Sequence, residues 1–144
     1  MRSQLLIFFI FATFSAAAQT FSFRQYTAEQ GFPGRGVNTI LRDQRGLMWI
    51  GTTDGLLSFD GYIFTAHSGD NSPLGAILAL FEDQKGTLWI GTEKGLYAYD
   101  GRAFARQAFL TEDAITGVSN AGGREVAICS RERRVFRFNG VTLS

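Results

Sequence analysis

The sequence has few of the residues on which cross-linking and metal binding depend. Its 144 residues include one cysteine, one histidine and two prolines. The single cysteine, Cys129, excludes an internal disulfide, and no His or Cys cluster has the spacing of a metal site. Charge is nearly balanced, with 14 basic and 13 acidic residues, so there is no basic field to attract nucleic acid. We therefore expect no metal, no cofactor and no nucleic-acid partner.

Catalytic constellations are missing as well. A Ser-His-Asp unit would need His67, the lone histidine, and no nucleophile motif flanks any serine. Asp43 with Asp83, and Asp60 with Asp100, resemble carboxylate pairs, yet each of these residues opens a predicted turn. We predict that the chain is not an enzyme. A weaker alternative, a glycan hydrolase or lyase, would need a carboxylate pair outside this sequence.

Long apolar runs are lacking except near the start of the chain. Arg2 precedes an apolar run from Leu5 to Phe14, and three alanines follow at 16–18. That run is well short of the ~20 residues that span a bilayer as a helix. A positive charge, an apolar run and small residues in this order are typical of a secretory signal peptide. The alternative is that the segment stays uncleaved and acts as a membrane anchor. We predict a signal peptide at 1–18 and an exported, periplasmic or extracellular protein that does not insert into the membrane.

What the chain has in abundance is repetition. Residues 43–52 (Asp-Gln-Arg-Gly-Leu-Met-Trp-Ile-Gly-Thr) return forty residues later as 83–92 (Asp-Gln-Lys-Gly-Thr-Leu-Trp-Ile-Gly-Thr). Residues 55–61 (Gly-Leu-Leu-Ser-Phe-Asp-Gly) likewise return as 95–101 (Gly-Leu-Tyr-Ala-Tyr-Asp-Gly). A fixed period between 20 and 50 residues indicates a repeat architecture, in which each unit buries its apolar surface against its neighbours.

Each repeat reads as four short strands joined by tight turns. In the second repeat the predicted strands are residues 76–81, 88–92, 96–99 and 102–106. Asp100-Gly101 is typical of a two-residue type I′ hairpin turn. Four antiparallel strands in about forty residues match one blade of a β-propeller.

We therefore predict an all-β fold, an incomplete β-propeller of four-stranded antiparallel sheets within residues 19–144. Blade 1 is expected at 37–67, blade 2 at 76–109, and a degenerate, incomplete blade 3 at 115–144. Blade 3 lacks a Trp, and its spacing is one residue longer, which predicts a bulge or a looser turn. Residues 21–26 are predicted as an N-terminal latch strand. Propellers have roughly four to eight blades, so we expect a fragment of a longer protein, or copies that assemble to close a ring.

Four repeated residues are expected to form the structural core between blades. Trp49 and Trp89 are predicted to fill the space between neighbouring sheets. Gly51 and Gly91 are predicted to allow close backbone approach beside them. The alternative is that the two indoles stack on a ligand.

The pattern Val-x-x-Ile-x-x-Asp-x-x-Gly-x-x-Trp-Ile-Gly-Thr-x-x-Gly-Leu at residues 37–56 resembles the two-component regulator propeller repeat. Residues 23–33 resemble the lead-in to the first such repeat. The resemblance implies the N-terminal part of the periplasmic sensor region of a Bacteroidetes-type hybrid two-component sensor. In that family the blades commonly precede an immunoglobulin-like domain, a membrane helix and a histidine kinase, and many such sensors detect glycan fragments.

Two functional hypotheses follow. The first is a non-catalytic, ligand-sensing input module of a two-component sensor, whose parent protein carries a histidine kinase beyond this chain. The second is a stand-alone exported propeller that binds a glycan or a protein. The expected partners are an oligosaccharide or another small extracytoplasmic ligand, together with the remaining blades of the same propeller. Candidate ligand-binding residues lie in the loops between blades and between second and third strands: Thr53, Asp54, His67, Asp70, Asn71, Glu93 and Lys94.

Overall fold

A computed structural model describes residues 24–69, 73–108 and 113–139. Within these ranges the chain is all-β, with one short 3₁₀ turn at Ala28–Gln30, and the predicted fold class is confirmed. The predicted signal peptide lies outside the described residues. So do residues 21–23 of the predicted latch, while residues 24–26 form no strand. The latch strand therefore stays a prediction.

Eleven strands form three antiparallel sheets within the described residues. Blade 1 has the order β1-β2-β3-β4 and blade 2 the order β5-β6-β7-β8, while blade 3 has β9, β10 and β11 with β10 in the centre. The strands of blades 1 and 2 are β1 Val37–Arg42, β2 Met48–Thr52, β3 Leu56–Phe59, β4 Phe64–His67, β5 Ile77–Glu82, β6 Leu88–Thr92, β7 Gly95–Tyr99 and β8 Phe104–Arg106. Those of blade 3 are β9 Ile115–Gly122, β10 Glu125–Ser130 and β11 Val135–Phe138.

The predicted two-residue type I′ turn at Asp100-Gly101 is wrong. Tyr99 pairs with Phe104, so residues 100–103 all belong to the connection. Asp100 does not adopt a positive φ. Its carboxylate instead accepts hydrogen bonds from the backbone N–H groups of Arg102 and Ala103, at 2.8 and 2.9 Å. Side-chain capping by the aspartate, with Gly101 at φ +93°, replaces the tight hairpin.

Blade 3 departs from the other two in both of its turns. Gly122 pairs with Glu125, so residues 123–124 alone connect β9 to β10. Cys129 pairs with Val135, which leaves residues 130–134 for the second turn. The matching turn of blade 1 uses only residues 52–55, between paired Gly51 and Leu56. This looser turn accounts for the longer spacing noted in the sequence, and Arg133 within it adopts φ +62°.

Two of the three core clusters among the described residues lie between consecutive blades, and the third packs Ile50 and Phe59 of blade 1 against Tyr26 and Phe32. The indole of Trp49, which is 1% exposed, packs with Leu56 of its own blade against Ile77 and Ile90 of blade 2. Trp89 packs in the same way against Ile115 of blade 3. The first strands of successive blades lie side by side, β1 against β5 and β5 against β9. The sheets therefore succeed one another as propeller blades do.

Candidate functional site

Each blade has two ends, which carry different turns. At the connector end, the second strand turns into the third and the chain passes to the next blade. At the Asp-turn end, the first strand turns into the second through a segment that begins with Asp43 in blade 1 and Asp83 in blade 2. The predicted ligand-binding residues that the structure describes, Thr53, Asp54, His67, Glu93 and Lys94, belong to the connector end.

A buried threonine shapes the connector-end turn of blade 1. The hydroxyl of Thr52 donates to the carbonyl of Gly55 at 2.9 Å and accepts from the N–H groups of Asp54 and Gly55, both at 3.1 Å. Thr92 makes the equivalent bond to Gly95 in blade 2. The pattern Thr-x-x-Gly thus fixes the turn and leaves the two central residues exposed at its tip.

The two tip residues of blade 1 bind the segment that leads into β1. The hydroxyl of Thr53 donates to the carbonyl of Arg35 at 3.0 Å. A carboxylate oxygen of Asp54 accepts from the N–H of Arg35 at 3.2 Å. The Thr53 hydroxyl is therefore bonded to the backbone of Arg35. Among the described residues, the second carboxylate oxygen of Asp54 accepts no hydrogen bond and can accept one from a ligand. In blade 2, Glu93 and Lys94 are exposed, and the carbonyl of Lys94 accepts from the guanidinium of Arg106 at 2.7 Å.

His67 is not a solvated loop residue. It is the last residue of β4, and its Nε2 lies 2.8 Å from the hydroxyl of Ser58 on the paired strand. Its ring packs 5.0 Å from that of Trp49 and 5.8 Å from that of Phe104. Burial lowers the pKa of the imidazole below its ordinary value of 6.5. His67 is therefore neutral at neutral pH and holds the seam between blades 1 and 2.

A cleft of about 230 Å³ opens at the connector end and brings together two of the seven candidates, Asp54 and His67. Its walls also carry the apolar residues Pro33, Leu57 and Leu74. Thr53, Glu93 and Lys94 do not line it. Asp70 and Asn71 lie outside the described residues. Pro33 and Leu57 carry no local signal of ligand binding at their positions, and sequence reasoning missed them as part of the cleft.

The Asp-turn end holds a cross-blade clamp that sequence reasoning also missed. The N–H of Gln44 donates to the carboxylate of Glu82 at 2.7 Å, and its side-chain amide donates to the carbonyl of Asp83 at 3.0 Å. One blade further on, the position of Glu82 is taken by Asn120, whose side chain accepts from Gly122 N–H instead. Within the described residues, the corresponding clamp between blades 2 and 3 is not made.

A second cleft remains where this clamp is missing. It measures about 170 Å³ and lies between the turns of blades 2 and 3, with Gln84, Asn120 and Arg124 among its walls. The sequence signal that could have revealed it is the change from Glu82 to Asn120 at equivalent positions. Among the described residues, no group of three or more His, Cys, Asp or Glu side chains is placed to hold a metal ion. No helix in the described part of the chain is long and apolar enough to cross a membrane.

Comparison with known proteins agrees with this architecture. The extracellular domain of BT3049 of B. thetaiotaomicron, described as a hybrid two component system, superposes with a TM-score of 0.72 at 21% identity. That match covers 84% of this chain and 19% of the solved chain, and it shows the propeller fold. A curated relative, Histidine kinase P4 of Formosa agariphila, is 36% identical over 62 residues, which is 43% of this chain. The chain spans only 4% of the length of that kinase.

The family comparison matches the first two strands of each complete blade. The model of the family described as two component regulator propeller matches residues 31–54 and 71–94. Each match contains a first strand, the Asp turn and the strand that carries the tryptophan. Residues 31–54 and 71–94 are therefore similar in sequence to the two-component regulator propeller repeat.

Proposed function

We propose that the chain is a non-catalytic, ligand-sensing propeller module in the extracytoplasmic input region of a two-component sensor. The two family repeats support this role, as do the similarity to a histidine kinase and the fold shared with an extracellular domain. The kinase itself would lie elsewhere in a longer protein. Residues 1–18 would serve as the cleaved signal peptide that brings the module across the membrane.

The observation that carries the proposal is the connector-end cleft. Polar groups of Asp54, His67 and Ser68 face the same space as Pro33 and Leu57. Small-molecule sites commonly combine an apolar wall with a few oriented polar groups. These groups are held by paired strands and a capped turn, so little ordering is needed on binding. A polar ligand with an apolar face, such as an oligosaccharide, suits this lining.

Titration of the chain with a panel of neutral and acidic trisaccharides, followed by NMR chemical shifts, tests ligand binding. We expect at least one trisaccharide to shift the signals of His67 and Asp54. Asp54→Ala should weaken that binding roughly tenfold, the scale set by loss of a charge-assisted hydrogen bond. The matched control is Asp60→Ala, which removes an exposed carboxylate from the Asp-turn end and should leave binding unchanged. Equal weakening by both variants, or shifts confined to other residues, would count against the cleft.

The signalling role needs a separate experiment on the native protein. An antibody raised against residues 37–67 should detect a protein much larger than this chain in the membrane fraction of the source cells. Its extracytoplasmic fragment should begin at Gln19 when sequenced. A small, freely exported protein of about the size of this chain would instead support the stand-alone propeller.

A further inference from the structure

A carboxylate fastens the seam between blades 1 and 2 at the Asp-turn end. Glu82, the last residue of β5, accepts a hydrogen bond from the N–H of Gln44 at 2.7 Å. The side-chain amide of Gln44 donates to the carbonyl of Asp83 beside it. Blade 2 thus supplies an anionic acceptor to the turn of blade 1, and the two donors of Gln44 are both satisfied across the seam.

The seam between blades 2 and 3 has the same donors without that acceptor. Gln84 holds in blade 2 the repeat position of Gln44, yet neither its N–H nor its side-chain amide donates a hydrogen bond to any described residue. Asn120 stands at the strand position of Glu82, in the same pairing register. Its side chain is neutral and one methylene shorter, and its oxygen accepts from the N–H of Gly122 at 2.6 Å. The second seam therefore lacks the carboxylate of the first.

Two cations join these donors around the cleft of about 170 Å³ at this seam. Lys85 and Arg124 both line the cleft and are both exposed. Neither side chain forms an ion pair or a hydrogen bond with the part of the chain that the structure describes. Arg124 takes the repeat position that glycine holds in both complete blades, at Gly46 and Gly86. This guanidinium is therefore present only where the clamp is missing.

The acidic residues of the cleft are already engaged elsewhere. Asp83 accepts hydrogen bonds from two N–H groups of its own turn and from an indole. Glu82 accepts from Gln44 across the first seam, and Glu125 forms an ion pair of 2.6 Å with Arg137. The groups left for a ligand are consequently hydrogen-bond donors and cations. Such a set is complementary to an anion.

We propose that this cleft binds the carboxylate of a small acidic ligand, which takes in the second seam the place that Glu82 holds in the first. The carboxylate accepts from the N–H of Gln84 and pairs with the guanidinium of Arg124, a cation suited to carboxylate oxygens. The ammonium of Lys85 adds a second positive charge. The cleft is smaller than the roughly 300 Å³ at which drug-sized sites begin, so it suits a single acidic unit. This site lies at the opposite end of the blades from the connector-end cleft.

Titration with glucuronate at constant ionic strength, followed by NMR, tests the proposal. Glucose is the matched neutral probe, since it has the same ring without the carboxylate. Glucuronate should shift the backbone amide signals of Gln84 and Arg124, and glucose should not. Arg124→Ala should weaken glucuronate binding roughly tenfold, the scale of one lost charge-assisted hydrogen bond. Arg102→Ala, which removes an exposed arginine of blade 2 outside this cleft, is the control and should leave binding unchanged. Signals of His67 report on the connector-end cleft separately, so failure of one site is distinguishable from failure of the other.

A built-in carboxylate gives a second, independent test. Asn120→Glu places in the second seam the residue that closes the first, so it should raise the Tm and weaken glucuronate binding at least roughly tenfold. Asn120→Gln has the same length without the charge and should weaken binding less.

Three results would overturn the proposal. Glucose or inorganic sulfate that shifts the same signals as strongly as glucuronate would show that the cleft does not select a carboxylate. Equal weakening by Arg124→Ala and Arg102→Ala would place the bound anion elsewhere. Unchanged binding in a folded Asn120→Glu variant, checked by circular dichroism, would show that the ligand does not occupy the position of Glu82.

Discussion

The indole nitrogen of Trp49 donates a hydrogen bond to the carboxylate of Asp43 at 3.1 Å, and Trp89 does the same to Asp83 at 3.0 Å. The other oxygen of Asp43 accepts from the N–H of Leu47 at 2.8 Å, within the turn itself. One carboxylate therefore closes the turn and satisfies a buried indole. This double role explains the fixed spacing between the aspartate and the tryptophan in both repeats.

Replacing Asp43 by alanine should destabilise the chain markedly. Asp43 is only 6% exposed, and its loss would leave the buried indole N–H of Trp49 without an acceptor. The expected loss is about 1–3 kcal/mol in the free energy of unfolding, measured by urea denaturation. Asp60→Ala is the control, because Asp60 caps an exposed turn and binds no tryptophan. Equal losses from the two variants would contradict the role of the indole bond.

Gly91→Ala should also be destabilising, for a steric reason. The new Cβ would meet the backbone oxygen of Ile115, which cannot rotate away. Overpacking of this kind costs about 1–3 kcal/mol. Gly117→Ala, in strand β9, is the matched control, since its nearest contact is 3.3 Å away at Cys129. Thermal denaturation of both variants should show a clearly lower Tm for Gly91→Ala only.

The cross-blade clamp predicts different results for two equivalent glutamines. Gln44→Ala removes the side-chain hydrogen bond to the carbonyl of Asp83 and should reduce the free energy of unfolding by about 0.5–1.5 kcal/mol. Gln84→Ala should change it little, because the side chain of Gln84 makes no hydrogen bond within the described part of the chain. Paired urea titrations measure the difference. A larger loss from Gln84→Ala would mean that the second seam has a clamp of its own.

Stability should depend on pH through His67. Burial lowers the pKa of His67 in the folded chain below 6.5, so the unfolded chain binds the proton more tightly. The free energy of unfolding is then fully retained above about pH 6.5 and declines as the pH falls from there towards the folded-state pKa. Backbone hydrogen bonds, chiefly from Ile63 and Ala103, lower the pKa values of Asp60 and Asp100 below 3.8, and these carboxylates titrate outside that window.

His67→Gln provides the comparison for this pH dependence. The amide keeps a polar partner for Ser58 but does not titrate. Urea denaturation at about pH 7.5 and about pH 5.5 should show a decline for the wild-type chain and a flatter response for the variant. An identical decline in both proteins would assign the effect to other groups.

The repeat alone was enough to predict the sheets, because apolar runs separated by turn residues determine strand positions locally. The predicted type I′ turn at Asp100-Gly101 was wrong, because this dipeptide lies in a longer connection that the Asp100 side chain caps. The cleft was harder to foresee. Asp54 was expected at a turn tip, but His67 was expected in a loop, whereas it ends β4 and lies against Trp49. The contact between His67 and Trp49 joins residues that are distant in sequence, so no local sequence pattern predicts it.

The seam clusters have a consequence for how the chain acquires its structure. Two of the three buried clusters among the described residues join a sheet to the one that follows it, and the aspartate–tryptophan bond spans six residues within a single hairpin. Short-range contacts of this kind form rapidly, since they close small loops. Each hairpin can thus organise early and then act as a template for the next, so that order spreads along the polypeptide in the direction of its synthesis.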